Sequence, residues 1–176
     1  MVVTAPKHSP ITVVGIDPGL ANLGLGAVRE EGRQQVFLAA QLVVTSSRAR
    51  VADRLSRIYD GVEEFLASHR PDAIALEGQF FHRQRDTSFK VGQAVGVALL
   101  AAERQGVPVF EYGPMEVKQT LVGTGRASKE QVAFMVRGIL KLTAAPDSSH
   151  TADALALALT HLSARRIRDL SGSYGR

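Results

Sequence analysis

The chain has 176 residues, 45% of them hydrophobic, which is enough for one sizeable core and favours a single domain. It contains no cysteine, so disulfides and thiolate metal sites are excluded, and its formal net charge of +4 mildly favours a polyanionic partner. The first ten residues show no apolar run of signal-peptide length, and no stretch is long enough to span a bilayer. We therefore expect a soluble cytoplasmic protein without a membrane partner.

Apolar runs and turn residues predict the elements of the first half of the chain. The run that ends at Asp17 is continuously apolar, as in a strand covered on both faces, and Asp-Pro-Gly then turns the chain. A hairpin through Glu31-Gly32 joins the next two strands, and Pro71 ends the helix that follows them. The predicted elements are strands over 12–17, 23–29 and 36–44, a helix over 48–69 and a strand over 73–76.

The second half is predicted to alternate helix and strand and then to continue as helices. The elements are a helix over 87–105, a strand over 107–112, and helices over 113–122 and 128–142. Ser128 and Gln131 form a capping box for the latter, and the last helix carries His150 and Asp153 near its start. This order predicts an α/β protein with a five-stranded mixed sheet, three antiparallel strands followed by parallel ones, flanked by helices.

Four residues that can bind metal stand at positions where the predicted elements could bring them together. Asp17 and Glu77 each end an apolar strand, while His150 and Asp153 share one helix face. If the crossover helix returns the fourth strand beside the first, the two carboxylates lie side by side, and a buried carboxylate is costly unless it meets a cation. The alternatives are a turn role for Asp17 and helix capping by the other pair. The pattern indicates a metal-dependent phosphodiester hydrolase with two Mg²⁺ or Mn²⁺ ions.

Several motifs in this order resemble the RuvC-type Holliday junction resolvases of the ribonuclease H-like superfamily. The similarity covers roughly residues 11–163. It rests on Gly15-Ile16-Asp17-Pro18-Gly19 with Leu23-Gly24-Leu25-Gly26, on Leu76-Glu77-Gly78-Gln79-Phe80-Phe81, on Tyr112-Gly113-Pro114-Met115-Glu116-Val117-Lys118-Gln119, and on His150-Thr151-Ala152-Asp153-Ala154-Leu155-Ala156.

The resemblance implies a homodimer that nicks four-way DNA junctions symmetrically in recombination and repair, working with a branch-migration complex of the RuvA and RuvB type. Asp17, Glu77 and Asp153 match the family's metal-binding acids, whereas His150 stands where many members carry another aspartate. The match places Lys118 near the scissile phosphate. We expect Asp17 to bridge two metals, Glu77 to hold one and Asp153 with His150 the other, and the imidazole to favour Mn²⁺.

A basic segment follows Glu77 and is the predicted DNA-binding region. Between residues 78 and 141, nine Lys or Arg residues stand against five acids. An exposed Phe80 or Phe81 could stack on an unpaired base at the junction centre, although adjacent phenylalanines are usually buried. The predicted DNA-binding residues are Phe80, Phe81, Arg83, Arg85, Lys90, Lys118, Arg126 and Lys129.

The predicted helix over 87–105 is apolar around most of its circumference, which indicates burial on more than one side. Gly92 and Gly96 would let a second helix approach closely, so this helix is the predicted dimer interface, together with Val95 and Leu99. The alternative is burial under the C-terminal helices of the same chain.

We expect one nuclease domain over residues 11–164, between a flexible extension over 1–10 and a flexible basic tail over 165–176. Two other functions remain open: a different ribonuclease H-like nuclease that acts on RNA–DNA hybrids, and a junction-binding protein without catalysis. An actin-like ATPase or sugar kinase is disfavoured, because the chain lacks a second phosphate loop and a Gly-rich adenosine motif.

Overall fold

The computed structural model describes residues 9–78 and 85–172, and the side chains of all of these except 85–88 and 168–172. Within these ranges, five strands and five helices follow one another. They are β1 (Ile11–Asp17), β2 (Asn22–Glu31), β3 (Gln34–Val44), α1 (Val51–His69), β4 (Ala73–Glu77), α2 (Arg85–Arg104), β5 (Val109–Tyr112), α3 (Pro114–Val122), α4 (Lys129–Ile139) and α5 (Ser149–Gly172).

The strands form one mixed sheet in the order β3-β2-β1-β4-β5. The first three strands pair antiparallel, as a meander does, while β4 runs parallel to β1 and β5 runs parallel to β4. Helix α1 is the crossover that returns the chain to lie beside β1. The predicted sheet is confirmed, including the pairing of the fourth strand with the first.

Side chains alternate between the two faces of the sheet, because successive residues of a strand point in opposite directions. On β1, Val13 belongs to the core under α3, α4 and α5, and Val14 and Ile16 belong to the core under α1 and α2. On β4, Ala75 belongs to the core under α3, α4 and α5, and Leu76 belongs to the core under α1 and α2. We call these sides the α5 face and the α1 face.

Helix α5 lies unusually close to the sheet, because glycines line the α5 face of β1 and β2. A Cβ atom at Gly15 would overlap the carbonyl oxygen of Ala154, and one at Gly24 would overlap that of His150. At Gly26, a Cβ atom would lie 2.8 Å from side-chain atoms of Leu155. The backbone of α5 therefore rests on the strands, and its first turn has a fixed place at the end of β1.

Two differences from the predicted boundaries have simple physical causes. Helix α5 continues to Gly172, past the boundary expected at residue 164. Two arginines within this continuation form ion pairs with Glu30 on β2, Arg165 at 3.5 Å and Arg166 at 2.7 Å. Helix α4 ends at Ile139 rather than at 142, because Lys141 adopts a left-handed backbone conformation with φ of 53°.

In the part of the chain that the structure describes, no helix is both long and apolar enough to cross a membrane.

Candidate active site

The carboxyl ends of β1 and β4 bring two acids together. Parallel pairing sets Ile16 opposite Leu76, so Asp17 and Glu77 are the next residues on adjacent strands. Since Ile16 and Leu76 both point to the α1 face, the alternation sends both acids to the α5 face. The side chain of Asp17 is only 14% exposed. The predicted juxtaposition of these two carboxylates is confirmed.

The first turn of α5 supplies the other two predicted ligands to the same edge. Gly24 pairs with Asp17 across β1 and β2, and its missing side chain makes room for the backbone of His150. The Nδ1–H of His150 donates a hydrogen bond of 2.7 Å to Asp17 Oδ2. Asp153 follows one turn later, with its side chain 34% exposed. Nε2 is then the His150 nitrogen that could bind a metal when the ring is neutral.

Lys129 lies among the acids at the start of α4, directly after the Ser128 cap. The predicted capping box of Ser128 and Gln131 is confirmed. Lys129 Nζ donates to Asp153 Oδ2 at 3.2 Å, and the negative charge of Asp153, followed by those of Asp17 and Glu77, raises the pKa of Lys129. The sequence had suggested only a DNA-backbone role for this lysine, because nothing in it links residue 129 to residue 153.

The electrostatics of the site reflect carboxylates withdrawn from water. Burial raises the pKa of Asp153, and the nearby charge of Asp17 acts in the same direction, against the opposing effect of Lys129. The hydrogen bond to Asp17 raises the pKa of His150. Keeping these carboxylates ionised is therefore unfavourable by itself, and a nearby cation makes it less so.

The donor set suits a divalent cation, but its members are not gathered around a common point. Within residues 9–78 and 85–172, no group of three or more His, Asp or Glu side chains is arranged to hold a metal ion. Instead, His150 engages Asp17 and Lys129 engages Asp153. Three carboxylates and an imidazole are ligands that Mg²⁺ or Mn²⁺ accepts. These pairs use only Nδ1 of His150 and one oxygen of each carboxylate, so the other ring nitrogen and the second oxygens could bind a metal while the pairs persist.

The remaining predicted DNA-binding residues are placed unevenly. Lys118 is half-buried on α3 and has no ion-pair partner among the described residues, while Lys90 on α2 and Arg126 before α4 are exposed. Arg85 is the first residue of α2, but its side chain is not described. The residues outside the described ranges are Phe80, Phe81 and Arg83.

Helix α2 is buried on one side only. Ala94 and Ala98 pack in the α1-face core, whereas Gly92, Gly96 and Leu99 are exposed and Val95 is half-buried. A Cβ atom at either glycine would meet nothing within 4 Å. The C-terminal helices α3, α4 and α5 cover the opposite face of the sheet, so the alternative of burial beneath them is wrong.

Comparison with known proteins identifies the family. The family model described as "Crossover junction endodeoxyribonuclease RuvC" matches residues 13–161, a range that includes all four predicted metal ligands. The chain belongs to the RuvC family. It is 52% identical over 154 residues to the RuvC crossover junction endodeoxyribonuclease of Thermus thermophilus, covering 86% of this chain and 93% of that relative. A RuvC protein from Photorhabdus laumondii is 48% identical over 152 residues, 85% of each chain.

Solved RuvC structures confirm the predicted fold class. A Thermus thermophilus RuvC structure matches with a TM-score of 0.84 and 51% identity, covering 89% of this chain and 96% of that one. The same RuvC in complex with a Holliday junction substrate matches with a TM-score of 0.85 over the same shares. A yeast mitochondrial Holliday junction resolvase, Ydc2, shares the fold at 12% identity and a TM-score of 0.64, over 97% of this chain and 89% of that one.

Proposed function

We propose that this RuvC-family protein resolves four-way DNA junctions by hydrolysing phosphodiester bonds with a divalent metal ion. One observation carries the proposal: Asp17, Glu77 and the first turn of α5 meet at one edge of the sheet in a chain that belongs to a family of junction endonucleases. A relative 51% identical to this chain has been solved with a Holliday junction substrate.

The four side chains at this edge of the sheet are the metal ligands in this proposal. Asp17 would bridge two metal ions, Glu77 would hold one of them, and Asp153 with His150 would hold the other. Such ions, when bound, activate water, neutralise the phosphate and stabilise the leaving oxygen. The oxygen ligands suit Mg²⁺ or Mn²⁺, and the imidazole of His150 favours Mn²⁺.

Two lysines would supply fixed positive charge near the phosphate. Lys129 Nζ lies 3.2 Å from Asp153 Oδ2 and offsets its negative charge. With a metal bound at that carboxylate, the Lys129 ammonium would be available to a phosphate oxygen at the same edge. Lys118 lies on α3, which follows β5, the strand beside β4, and it would act on the phosphate from that side.

The segment that starts directly after Glu77 would engage the junction. Because β4 ends at Glu77, a proposed metal ligand, Gly78 would lie beside the scissile phosphate. Phe80, with Phe81, would stack on bases at the crossover, and the basic side chains would contact the DNA backbone. Those basic residues are Arg83, Arg85, Lys90 and Arg126.

The open side of α2 would form a two-fold dimer through Gly92, Val95, Gly96 and Leu99. On this side Gly92, Gly96 and Leu99 are exposed and Val95 is half-buried, and α2 lies on the α1 face, away from α5. A two-fold dimer presents two identical sites to a junction, which suits symmetric cleavage. We also place the protein in the cytoplasm, together with a branch-migration complex of the RuvA and RuvB type.

The test uses a synthetic four-way junction incubated with Mg²⁺, with Mn²⁺ or with EDTA. The expected result is a pair of symmetric nicks near the crossover that appears only with metal. A linear duplex of the same sequence and an RNA–DNA hybrid serve as matched substrates and should be cut much more slowly. Preferred cleavage of the hybrid, or tight junction binding without any cleavage, would contradict the proposal.

A further inference from the structure

Two buried polar side chains outside the proposed ligand set meet where α5 crosses β5. His161 on α5 is 2% exposed and Tyr112 at the end of β5 is 5% exposed. Tyr112 Oη and His161 Nδ1 share a hydrogen bond of 2.8 Å. The His161 ring also packs on Phe110, with 4.6 Å between the ring centroids, so β5 contacts the imidazole through both Tyr112 and Phe110.

Tyr112 is directly coupled to the strand that carries Glu77. In the parallel pairing of β4 with β5, Glu77 is the partner of Tyr112. The carbonyl oxygen of Tyr112 also accepts a hydrogen bond of 3.0 Å from the N–H of Gly78. A shift of Tyr112 would therefore be transmitted to the end of β4, where a proposed metal ligand lies.

His161 lies on nearly the same side of α5 as His150. The two residues are eleven apart, which is close to three helical turns and about 16 Å along the axis. Helix α5 is thus joined to the sheet by side-chain hydrogen bonds at both places, to Asp17 at its start and to Tyr112 further along. Gly15 lies under the stretch between them, against Ala154 and Ala158.

The two contacts differ in whether proposed metal ligands form them. The contact of His150 with Asp17 is made by two proposed ligands, so the groups that would bind the metal are the groups that form it. The contact of His161 with Tyr112 uses none of them. We infer that the Tyr112–His161 hydrogen bond is a positioning contact that keeps α5, and with it His150 and Asp153, aligned with Glu77 for metal binding. The inference rests on the proposed metal site.

A directional contact suits this task better than apolar packing does. Hydrogen bonds weaken steeply with distance and angle, whereas the hydrophobic effect is non-directional. Rotating or sliding α5 by one residue would separate Tyr112 Oη from His161 Nδ1 while both remain buried, which is unfavourable. The glycine contacts of β1 and β2 set how closely α5 approaches the sheet, and this hydrogen bond adds a directional constraint on its rotation.

The test is Tyr112→Phe, which removes one hydroxyl and keeps the ring. The expected results are a Mn²⁺ dissociation constant about tenfold higher by calorimetry without DNA, and a kcat for junction cleavage about tenfold lower, at the low end of the effects of losing outer partners of metal ligands. Junction affinity in EDTA should not change. His161→Asn, which places an amide near the Nδ1 position, should recover part of the loss that His161→Leu causes.

Thr160→Val is the matched control. Thr160 is fully buried on α5, and its hydroxyl donates to the carbonyl of Ala156 in the same helix at 2.8 Å. This variant loses a buried hydrogen bond that does not reach the sheet, so Mn²⁺ affinity and kcat should match wild type even if the melting temperature falls.

Three results would overturn the inference: wild-type Mn²⁺ affinity in Tyr112→Phe, an equal loss in Thr160→Val, or equal Mn²⁺ affinities in His161→Asn and His161→Leu. The histidine pair decides the matter if Tyr112→Phe does not fold. A wild-type protein that binds Mn²⁺ but leaves junctions intact would instead contradict the proposed function.

Discussion

On the α5 face, the central strands carry Gly15 and Gly24, whereas on the α1 face the same strands carry fully buried large residues such as Ile16 and Leu25. The glycines let a helix backbone rest on the strands, so the side chain of His150 on α5 reaches Asp17. The large residues instead fill the volume under α1 and α2. The glycines thus allow polar groups of α5 to reach the strand ends, whereas the large residues fill the core on the other face.

The two faces also differ in what they leave open. On the α5 face, acidic side chains, an imidazole and a lysine lie at the carboxyl ends of the strands. His150 is paired with Asp17, and Lys129 is paired with Asp153. On the α1 face, one side of α2 is not covered by the rest of the chain, and a Cβ atom at Gly92 or Gly96 would meet nothing within 4 Å. In our proposal, the α5 face carries the active site and the α1 face carries the dimer interface. The following substitutions test that division.

The largest effect is expected for Asp17→Asn. This change removes a negative charge from the proposed bridging ligand, so junction cleavage should fall by roughly 10³-fold or more, beyond the 10–100-fold typical for outer partners of metal ligands. Junction binding in EDTA should persist, because phosphate contacts come from basic side chains. Cleavage is measured on denaturing gels and binding by fluorescence anisotropy.

The control for this prediction is Asp60→Asn, at an exposed position of α1. It removes the same charge from the other face and should cleave at the wild-type rate. Near-normal cleavage by Asp17→Asn would refute the assigned site.

The next effect concerns folding. Gly15→Val would push side-chain atoms into the backbone of Ala154, which cannot move away without displacing α5. Overpacking costs about 1–3 kcal/mol and occasionally more, so we expect a loss near 3 kcal/mol, or roughly 6–12 °C in the melting temperature for a chain of this length. Differential scanning calorimetry measures it.

Gly138→Val, on an exposed part of α4 with no atom within 4 Å of the added Cβ, is the matched control. It should leave the melting temperature unchanged or raise it slightly, since the added side chain meets nothing and valine has a higher helix propensity than glycine. Equal losses in the two variants would mean that close approach of α5 is not what Gly15 provides.

The sequence was sufficient to predict the sheet and the pairing of the strand tips. Period-two alternation and a single crossover helix determine that Asp17 and Glu77 share an edge and a face. It was not sufficient for contacts set by helix placement. Lys129 and Asp153 are 24 residues apart in the sequence, and Tyr112 and His161 are 49 apart. No local sequence pattern predicts a contact over either distance. His161 stands in an apolar run whose pattern predicts only burial.

A third prediction addresses the α1 face. Gly96→Leu would place a bulky side chain on the open side of α2, so the dimer should weaken at least tenfold, about 1.4 kcal/mol, while the monomer stays folded. Sedimentation velocity at micromolar concentration measures this. Gly138→Leu should leave the dimer intact, since it lies on α4. A monomeric wild type at that concentration would refute the assembly role of α2.

The smallest effect is expected at His150. A nitrogen ligand favours Mn²⁺ over Mg²⁺, so wild type should cleave faster with Mn²⁺, and His150→Asp should shift the rate ratio several-fold towards Mg²⁺ while staying active. The hydrogen bond to Asp17 raises the pKa of His150 above the ordinary histidine value of about 6.5. The ring therefore becomes protonated at a higher pH than a free imidazole does.

Protons should therefore compete with metal at His150. Mn²⁺ affinity should weaken as pH falls through that raised pKa in wild type, and should persist to lower pH in His150→Asp, whose carboxylate stays ionised there. Calorimetric titrations at several pH values separate this ligand effect from the titration of metal-bound water, which both proteins share. An unchanged Mn²⁺/Mg²⁺ ratio together with parallel pH curves would show that His150 is not a ligand and acts only through its hydrogen bond to Asp17.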